Sequence, residues 1–180
     1  MSRVVTPLEG RRFAGWDESA PIAAPLALHA CAVKPEWTDY NEHMSESCYL
    51  LVFGDNSDAF FRFFGVDEDY RAAGFSLYTI DTRIRYLREV EAGAEIAFTL
   101  QLLDVDAKRL HIFHRMRRLD SGEELATCEQ ILVHVDMKNG RSSPLPADLA
   151  ARLEAIRAAH ASLPLPETVG APLGLKRNMR

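Results

Sequence analysis

The feature that most constrains this chain is a segment, residues 45–64, whose apolar side chains recur at helical spacing around most of its circumference. These apolar positions are Cys48, Tyr49, Val52, Phe53, Phe60, Phe63 and Phe64. Ser45 is a suitable N-cap residue, and Gly65 is a suitable C-terminal stop. A helix that is apolar on nearly every side cannot face water, so the rest of the chain has to cover it.

The rest of the chain contains a sheet that can provide this cover. Alternating apolar and polar residues, interrupted by turn signals, predict strands at residues 26–34, 77–86, 96–102, 110–116 and 125–135. In the second strand, we expect Tyr78, Ile80 and Ile84 to share one face and Leu77 to lie on the other. An Ala-rich amphipathic helix follows at residues 146–161. The pattern predicts an α+β protein of the hotdog fold, in which a long antiparallel sheet curls around one central helix and a C-terminal helix follows.

Turn-forming residues divide the chain into three parts. Residues 1–21 are irregular and read as an N-terminal arm, and residues 22–161 form the predicted hotdog domain. Residues 162–180 are rich in proline and glycine, and we expect them to be a flexible C-terminal tail. A chain of 180 residues is of the usual size for one domain.

Charge and cysteine content narrow the possible partners and location. A formal net charge of −5 argues against a general nucleic-acid binder. Three widely spaced cysteines, Cys31, Cys48 and Cys128, predict reduced thiols and not disulfides, and no spacing of His, Cys and Asp predicts a metal site. Since no signal peptide and no membrane-spanning segment is predicted, we expect a cytoplasmic protein without a membrane partner.

The stretch best suited to chemistry is residues 37–44, with the sequence WTDYNEHM, between the first strand and the central helix. The free N–H groups and the dipole at a helix N-terminus stabilise negative charge. Thioester hydrolysis passes through a negatively charged tetrahedral oxygen, so a carboxylate at this point, Asp39, offers a base or nucleophile beside an oxyanion site. Taken by its spacing alone, Asp39 fits a residue that only caps a turn better than a catalytic residue.

The motif DYNEH, residues 39–43, resembles the D-x-x-G-H signature of the 4-hydroxybenzoyl-CoA thioesterase-like hotdog family, and RYLREVEAG, residues 85–93, resembles its second and third strands. A narrower resemblance lies in TDYNEHMSESCYLLVFGDNSDAF, KRLHIFH and EQILVHVD. These segments are similar to thioesterases of carnitine catabolism, namely betainyl-CoA thioesterases and the hotdog domain fused to some carnitine dehydrogenases.

The resemblance implies a hydrolase that converts a short-chain acyl-CoA, betainyl-CoA in the narrower case, to free acid and CoA. It implies Asp39 as the catalytic carboxylate, Asn41 and His43 as further residues of the catalytic loop, and no cofactor. It also implies a homodimer or homotetramer, because hotdog dimers join two sheets edge to edge with the site at the junction. Asn41 and His43 are equally suited to orient the loop.

One position departs from the family motif. Glu42 stands where the family has glycine, which lets the backbone come close to the thioester. Glu42 could add a second carboxylate, crowd the site or point to solvent. Asp55, in the central helix, lies near a position where relatives carry glutamate, and we assign it to the lining of the site.

A betainyl group ends in a trimethylammonium, which proteins hold with aromatic rings and negative charge. Trp37, Tyr40, Tyr49 and Phe53 are therefore predicted to contact the substrate, although Tyr49 and Phe53 are equally suited to a core. The basic residues near 83–88 and 108–118 are either a solvated face or a CoA phosphate site. Two other functions stay open. One is an acyl-thioester hydratase or dehydratase, and the other is a non-catalytic acyl-CoA-binding module. Glu42 in place of glycine favours only the binding module.

Overall fold

The computed structural model describes residues 5–174, and these contain a sheet and three α-helices. The strands are β1 (Leu26–Ala32), β2 (Phe75–Tyr86), β3 (Glu95–Val105), β4 (Arg109–Arg118), β5 (Glu124–Asp136) and the short β6 (Arg141–Ser142). The helices are α1 (Glu46–Phe64), α2 (Glu68–Ala72) and α3 (Ala147–His160), and Pro35–Trp37 form a single 3₁₀ turn. The five predicted strands correspond to β1–β5, and the two predicted helices correspond to α1 and α3. Helix α2 and strand β6 were not predicted, because they are too short to produce a periodic pattern.

The sheet is antiparallel, with the strand order β1-β3-β4-β5-β2, and β6 pairs with β5. Helix α1 begins after the N-cap Ser45 and ends at Gly65, whose left-handed φ of 112° lets the chain turn away. The sheet curls around α1, so that inner-face residues of β3, β4 and β5 and residues of this helix form two apolar clusters. The predicted hotdog fold is confirmed.

The interior has two parts, which follow the length of α1. Near its N-terminal half, Val52 and Phe53 pack with Phe98 and Met116 of the sheet. Near its C-terminal half, aromatic residues of α1 pack with strand residues and with α3. This second part includes Phe60, Phe64, Leu100, Leu102, Leu110, Ile112, Leu132, Leu149, Leu153 and Ile156.

The arm that precedes β1 covers the side of α1 that the sheet leaves open. The Trp16 ring contacts the edge of Phe63, with 5.9 Å between ring centroids. The Thr6 hydroxyl donates a hydrogen bond of 2.7 Å to Asp58. Asp58 also accepts a hydrogen bond of 2.9 Å from the buried Arg62. Because Asp58 and Arg62 are paired with each other beneath the arm, this part of the helix is enclosed with both charges compensated.

Strand β2 differs from its predicted pattern. A register shift between Thr79 and Asp81 leaves Ile80 without a partner on β5, which is a β-bulge. Ahead of the bulge, Leu77 is buried in the core, and Tyr78 is 52% exposed. Beyond it, Ile84 packs against the core. The expectation that Tyr78, Ile80 and Ile84 share one face is therefore wrong, because one inserted residue exchanges the two faces of a strand.

The predicted three-part division stays a prediction. Helix α3 ends at His160, close to the predicted boundary at residue 161. Beyond it, the chain is irregular up to residue 174, and the N–H of Gly170 donates to the carboxylate of Glu129 at 3.0 Å. Residues 175–180 of the predicted flexible tail lie outside the described residues.

Candidate active site

A tight β-hairpin carries the predicted catalytic residues. Thr38 and Met44 pair as a β-bridge, and the Asp39 N–H donates to the His43 carbonyl at 3.0 Å. The Glu42 N–H donates to the Asp39 carbonyl at 3.0 Å, which closes a turn over residues 39–42. The side chain of Asp39 strengthens this turn, because its Oδ1 accepts the Asn41 N–H at 2.8 Å. The Asp39 side chain thus has a defined orientation, and its Oδ2 takes no part in this turn.

Glu42 has a φ of 65° and is the only non-glycine residue with positive φ among residues 5–174. A three-residue hairpin loop of this kind needs a left-handed residue after its turn, and glycine usually occupies that position. The hairpin therefore keeps the backbone shape for which the family uses glycine. The Glu42 side chain is exposed, which fits the alternative that it points to solvent.

Two sets of backbone contacts hold the hairpin in place. His43 pairs with Glu91 in a β-bridge, and the Met44 N–H donates to the Val90 carbonyl at 2.8 Å. The Ser45 N–H donates to the Trp37 carbonyl at 2.8 Å, which joins the base of the hairpin to the start of α1. The hairpin is therefore fixed between the β2–β3 connection and the N-terminus of α1.

The N-terminus of α1 is open. Ser45 occupies the N-cap position, but its side chain makes no capping hydrogen bond. Its hydroxyl instead lies 3.4 Å from the Ser47 hydroxyl. The first-turn N–H groups of a helix have no intrahelical acceptor, so an uncapped start is suited to stabilise a developing oxyanion.

A cleft of about 380 Å³ lies between the start of α1 and the end of β2. Its lining residues are Met44, Glu46, Tyr49, Tyr86, Leu87, Arg88 and Glu89. Burial, with smaller effects of Tyr86 and Glu89, raises the pKa of Tyr49 to about 12. Tyr49 therefore stays a neutral phenol, and its hydroxyl donates to the Arg88 carbonyl at 3.2 Å.

The fold brings some of the predicted site residues together and separates others. Asp39, Asn41 and His43 share the hairpin, and Tyr49 lines the neighbouring cleft. Trp37 lies at the base of the hairpin, where the Lys34 ammonium sits 4.9 Å from the centre of its ring. Tyr40, at the tip of the hairpin, is 94% exposed.

Phe53 and Asp55 lie further along α1 and do not line the cleft. Phe53 is fully buried, with its ring centroid 5.7 Å from both Phe98 and His114. Asp55 is 7% exposed and has no hydrogen-bond or ion-pair partner within residues 5–174. Burial, with the nearby Asp58 carboxylate, raises the pKa of Asp55 to about 6.

Sequence reasoning did not assign Glu46, Tyr86 or Glu89 to the site. Tyr86 was predicted only as a strand residue, and Glu46 only as a charge that suits a helix N-terminus. The signal that could have found Tyr86 is its position as the last residue of a strand that ends beside the hairpin that carries Asp39. That signal depends on strand order, which local periodicity does not contain.

A buried polar chain fixes α1 on the sheet. The Asn56 amide donates to His114 Nδ1 at 2.8 Å, and His114 Nε2 donates to Gln130 Oε1 at 3.1 Å. Gln130 in turn donates to the Thr82 hydroxyl at 3.3 Å. Burial lowers the pKa of His114 to about 4, so the ring is neutral at physiological pH and serves as both donor and acceptor.

Two further properties concern the described range, residues 5–174. None of its helices is long and apolar enough to cross a membrane. It also contains no group of three or more His, Cys, Asp or Glu residues placed to hold a metal ion.

A curled antiparallel sheet around one central helix, with a carboxylate hairpin at the start of that helix, defines a hotdog protein with a candidate site for thioester chemistry. Comparison with known families gives a match to the "Thioesterase-like superfamily" over residues 33–153. The chain belongs to this superfamily, and the predicted family is confirmed.

Two relatives illustrate the similarity. A betainyl-CoA thioesterase from Pseudomonas aeruginosa is 43% identical over 151 residues, which are 83% of this chain and 95% of the relative. An L-carnitine dehydrogenase/betainyl-CoA thioesterase from Rhizobium meliloti is 45% identical over 160 residues, which are 89% of this chain. The chain spans only 32% of the length of that second protein.

Solved structures agree with the fold. A putative thioesterase from Pseudomonas putida is 32% identical and superposes with a TM-score of 0.75, covering 86% of this chain and 99% of that one. A Staphylococcus aureus protein, solved in complex with CoA, is 24% identical with a TM-score of 0.78, covering 87% of this chain and 99% of that one. At this lower identity, the second structure supports the fold alone.

Proposed function

We propose that this protein is an acyl-CoA thioesterase whose substrate is betainyl-CoA. The observation that carries the proposal is the Asp39 carboxylate on a hairpin joined to the uncapped start of α1. Similarity to betainyl-CoA thioesterases over most of the chain supports the acyl group. The products are glycine betaine and CoA, and the reaction consumes one water molecule.

In the proposed mechanism, Asp39 acts as general base or nucleophile. Its Oδ1 is held by the Asn41 N–H, so Oδ2 is available to accept a proton from the attacking water or to attack the carbonyl carbon itself. The tetrahedral oxygen develops at the start of α1, where free N–H groups and the helix dipole stabilise it. In the general-base route, the C–S bond then breaks and CoA leaves as the thiol, with the proton that Asp39 took from water. In the nucleophilic route, the C–S bond breaks to leave the acyl group on Asp39 as an anhydride, and water then hydrolyses that anhydride to the free acid and supplies the proton of the thiol.

The supporting roles follow from position. Asn41 acts through its backbone N–H, which orients Asp39. The imidazole of His43 lies 3.8 Å from the Glu89 carboxylate, at the side of the hairpin that faces the β2–β3 connection. We assign His43 to positioning the hairpin. Since the turn keeps its left-handed residue with Glu42 in place, the departure from glycine does not favour a non-catalytic module.

The test is the substitution Asp39→Asn with matched measurements on Glu42→Gln. Asparagine keeps an oxygen that accepts the Asn41 N–H, but it loses the charge and the basicity. We expect kcat for betainyl-CoA, followed by release of free CoA with a thiol reagent, to fall by about 100-fold or more. Glu42→Gln removes an exposed carboxylate from the same turn and should change kcat by less than about threefold, since its side chain faces solvent.

Two outcomes would contradict the proposal. Near-normal turnover by Asp39→Asn would remove this residue from the chemistry. Tight binding of betainyl-CoA by the natural protein without release of CoA would favour the binding module. Circular dichroism of both variants separates loss of chemistry from loss of folding.

We further propose that the protein forms a homodimer through β2. The homotetramer that the family resemblance also allows would then consist of two such dimers. Strand β2 is an edge of the sheet, and it leaves Tyr78 and Ile80 more than half exposed, at 52% and 57%. A long edge strand with exposed apolar side chains is suited to pair with a second copy. Because the cleft lies beside the end of β2, the partner would form its second wall.

The three free thiols, Cys31, Cys48 and Cys128, fit the expected cytoplasmic location.

A further inference from the structure

The cleft beside the start of α1 contains a fixed pair of aromatic rings. The Tyr49 and Tyr86 rings lie at 90° to each other, with 5.1 Å between their centroids. Both hydroxyl groups are engaged by backbone carbonyls, since Tyr49 donates to Arg88 at 3.2 Å and Tyr86 donates to Glu46 at 3.3 Å. Tyr49 is buried, whereas Tyr86 is 50% exposed. The pair therefore forms a rigid corner in which Tyr86 presents ring surface to a ligand.

Negative charge surrounds this corner. Glu46 and Glu89 both line the cleft, and neither carboxylate accepts a hydrogen bond within residues 5–174. The His43 imidazole lies 3.8 Å from the Glu89 carboxylate. The one basic residue of the lining, Arg88, is occupied elsewhere, because its guanidinium donates to Glu123 at 3.2 Å and to the Leu87 carbonyl at 3.0 Å.

Aromatic surface and exposed carboxylates match a particular class of ligand. A quaternary ammonium has no N–H to donate, so it is held by ring faces and by nearby negative charge. A phosphate or a free carboxylate would be repelled by Glu46 and Glu89. The cleft, at about 380 Å³, is large enough for a branched head group of this kind.

We infer that Tyr86, supported by Tyr49 and by the Glu46 and Glu89 carboxylates, binds the trimethylammonium head of the acyl group and sets the specificity for a cationic acyl-CoA. The inference rests on the proposed thioesterase function, and it names the part of the site that recognises the substrate. It departs from the set of aromatic residues expected from the sequence. Trp37 is covered by Lys34, and Phe53 is enclosed in the core, so neither presents a free ring face in the cleft.

The test compares two acyl groups of equal shape. In 3,3-dimethylbutyryl-CoA, a neutral carbon stands where betainyl-CoA has its charged quaternary nitrogen. For the natural protein, we expect kcat/KM to favour the charged substrate by about 10- to 1000-fold, the range that a few cation–π contacts provide. Tyr86→Leu should lower this ratio by about tenfold, and Glu46→Gln should also lower it. Tyr86→Phe is the matched control, because it retains the ring and should keep the ratio within about threefold.

A binding measurement makes the inference independent of turnover. Choline and 3,3-dimethylbutan-1-ol have the same shape as each other. Like the two acyl groups, they differ in that choline has a charged nitrogen where the alcohol has a neutral carbon. We expect NMR titration to detect choline at the Tyr86 ring and to detect weaker or no binding of the alcohol, with choline binding lost in Tyr86→Leu.

The outcomes separate the two proposals. Hydrolysis of both thioesters at equal kcat/KM would overturn the inference and leave the thioesterase intact. Preferential choline binding without hydrolysis of any acyl-CoA would overturn the thioesterase and support the cation site. Equal or absent binding of choline and the alcohol by the natural protein would overturn the cation site whatever the turnover.

Discussion

Glu42→Gly is the substitution that most directly tests the geometry of the hairpin that carries Asp39. Glu42 holds a φ of 65°, in the left-handed region that side chains other than glycine avoid. Its carboxylate makes no hydrogen bond or ion pair within residues 5–174 that glycine would remove. The backbone hydrogen bond from the Glu42 N–H to the Asp39 carbonyl, at 3.0 Å, is available to glycine as well.

The size of the effect follows from two opposing terms. A non-glycine residue in the left-handed region costs about 1–2 kcal/mol, which glycine would recover. Glycine is more flexible in the unfolded chain, which costs about 0.5–1 kcal/mol. We therefore expect Glu42→Gly to raise the free energy of unfolding by about 0.5–1 kcal/mol. For a protein of this size, the melting temperature should rise by about 1–4 °C.

The measurement is equilibrium unfolding in urea together with thermal unfolding at fixed protein concentration. Glu42→Ala is the control, because alanine removes the carboxylate but keeps the strain of the left-handed backbone. We expect its stability to lie within about 0.5 kcal/mol of the natural protein. If alanine stabilised as much as glycine, relief of charge and not of backbone strain would explain the gain. If glycine destabilised by more than about 1 kcal/mol, the reasoning about strain would be refuted.

Three further predictions concern the core, the sheet edge and a buried carboxylate. Because folding raises the pKa of Asp55 to about 6, the folded protein retains its proton between pH 6 and 4 while the unfolded chain loses it. The retained proton stabilises the folded protein below pH 4, and this stabilisation is lost as the pH rises through 6. Asparagine does not ionise in this range. The free energy of unfolding of Asp55→Asn, relative to that of the natural protein, should therefore increase by about 3 kcal/mol between pH 4 and pH 8 in denaturation curves. A stability difference independent of pH would contradict this. Ile80→Lys should shift the proposed dimer towards monomer in light scattering, whereas Leu119→Lys, at a residue 58% exposed and outside β2, should not. Phe53→Ala should lower the free energy of unfolding by about 3–5 kcal/mol, and a loss below 1 kcal/mol would argue against its full burial.

The central helix and its ends could be predicted because their signals are local. Ser45, Gly65 and the apolar residues between them lie within one segment, and helical spacing alone brings those residues to adjacent faces. The need to bury that helix, combined with strands of period two, was enough to predict the α+β class and the curled sheet. Motif similarity identified the hairpin and Asp39, but their hydrogen bonds to one another were not predicted.

The β2 bulge could not be predicted from the same signals. Up to Ile80, the strand's alternation is regular, and the inserted residue is visible only from its pairing with β5. Which residue is left unpaired depends on the hydrogen bonds of the neighbouring strand, so the change of face at Ile80 is a property of the sheet.

The sequence by itself determined the helix, the strand periods and the loop that carries Asp39, because each depends on residues close together in the chain. Only the tertiary structure decided the composition of the cleft. Tyr49 and Tyr86 are far apart in the chain, and they meet because β2 is the strand that ends beside the start of α1. The same packing placed Phe53 in the core, because it lies on the same face of α1 as Tyr49 but about 6 Å further along the axis, where the sheet covers the helix. Local spacing defines which residues share a face, but the order of the strands defines what that face contacts.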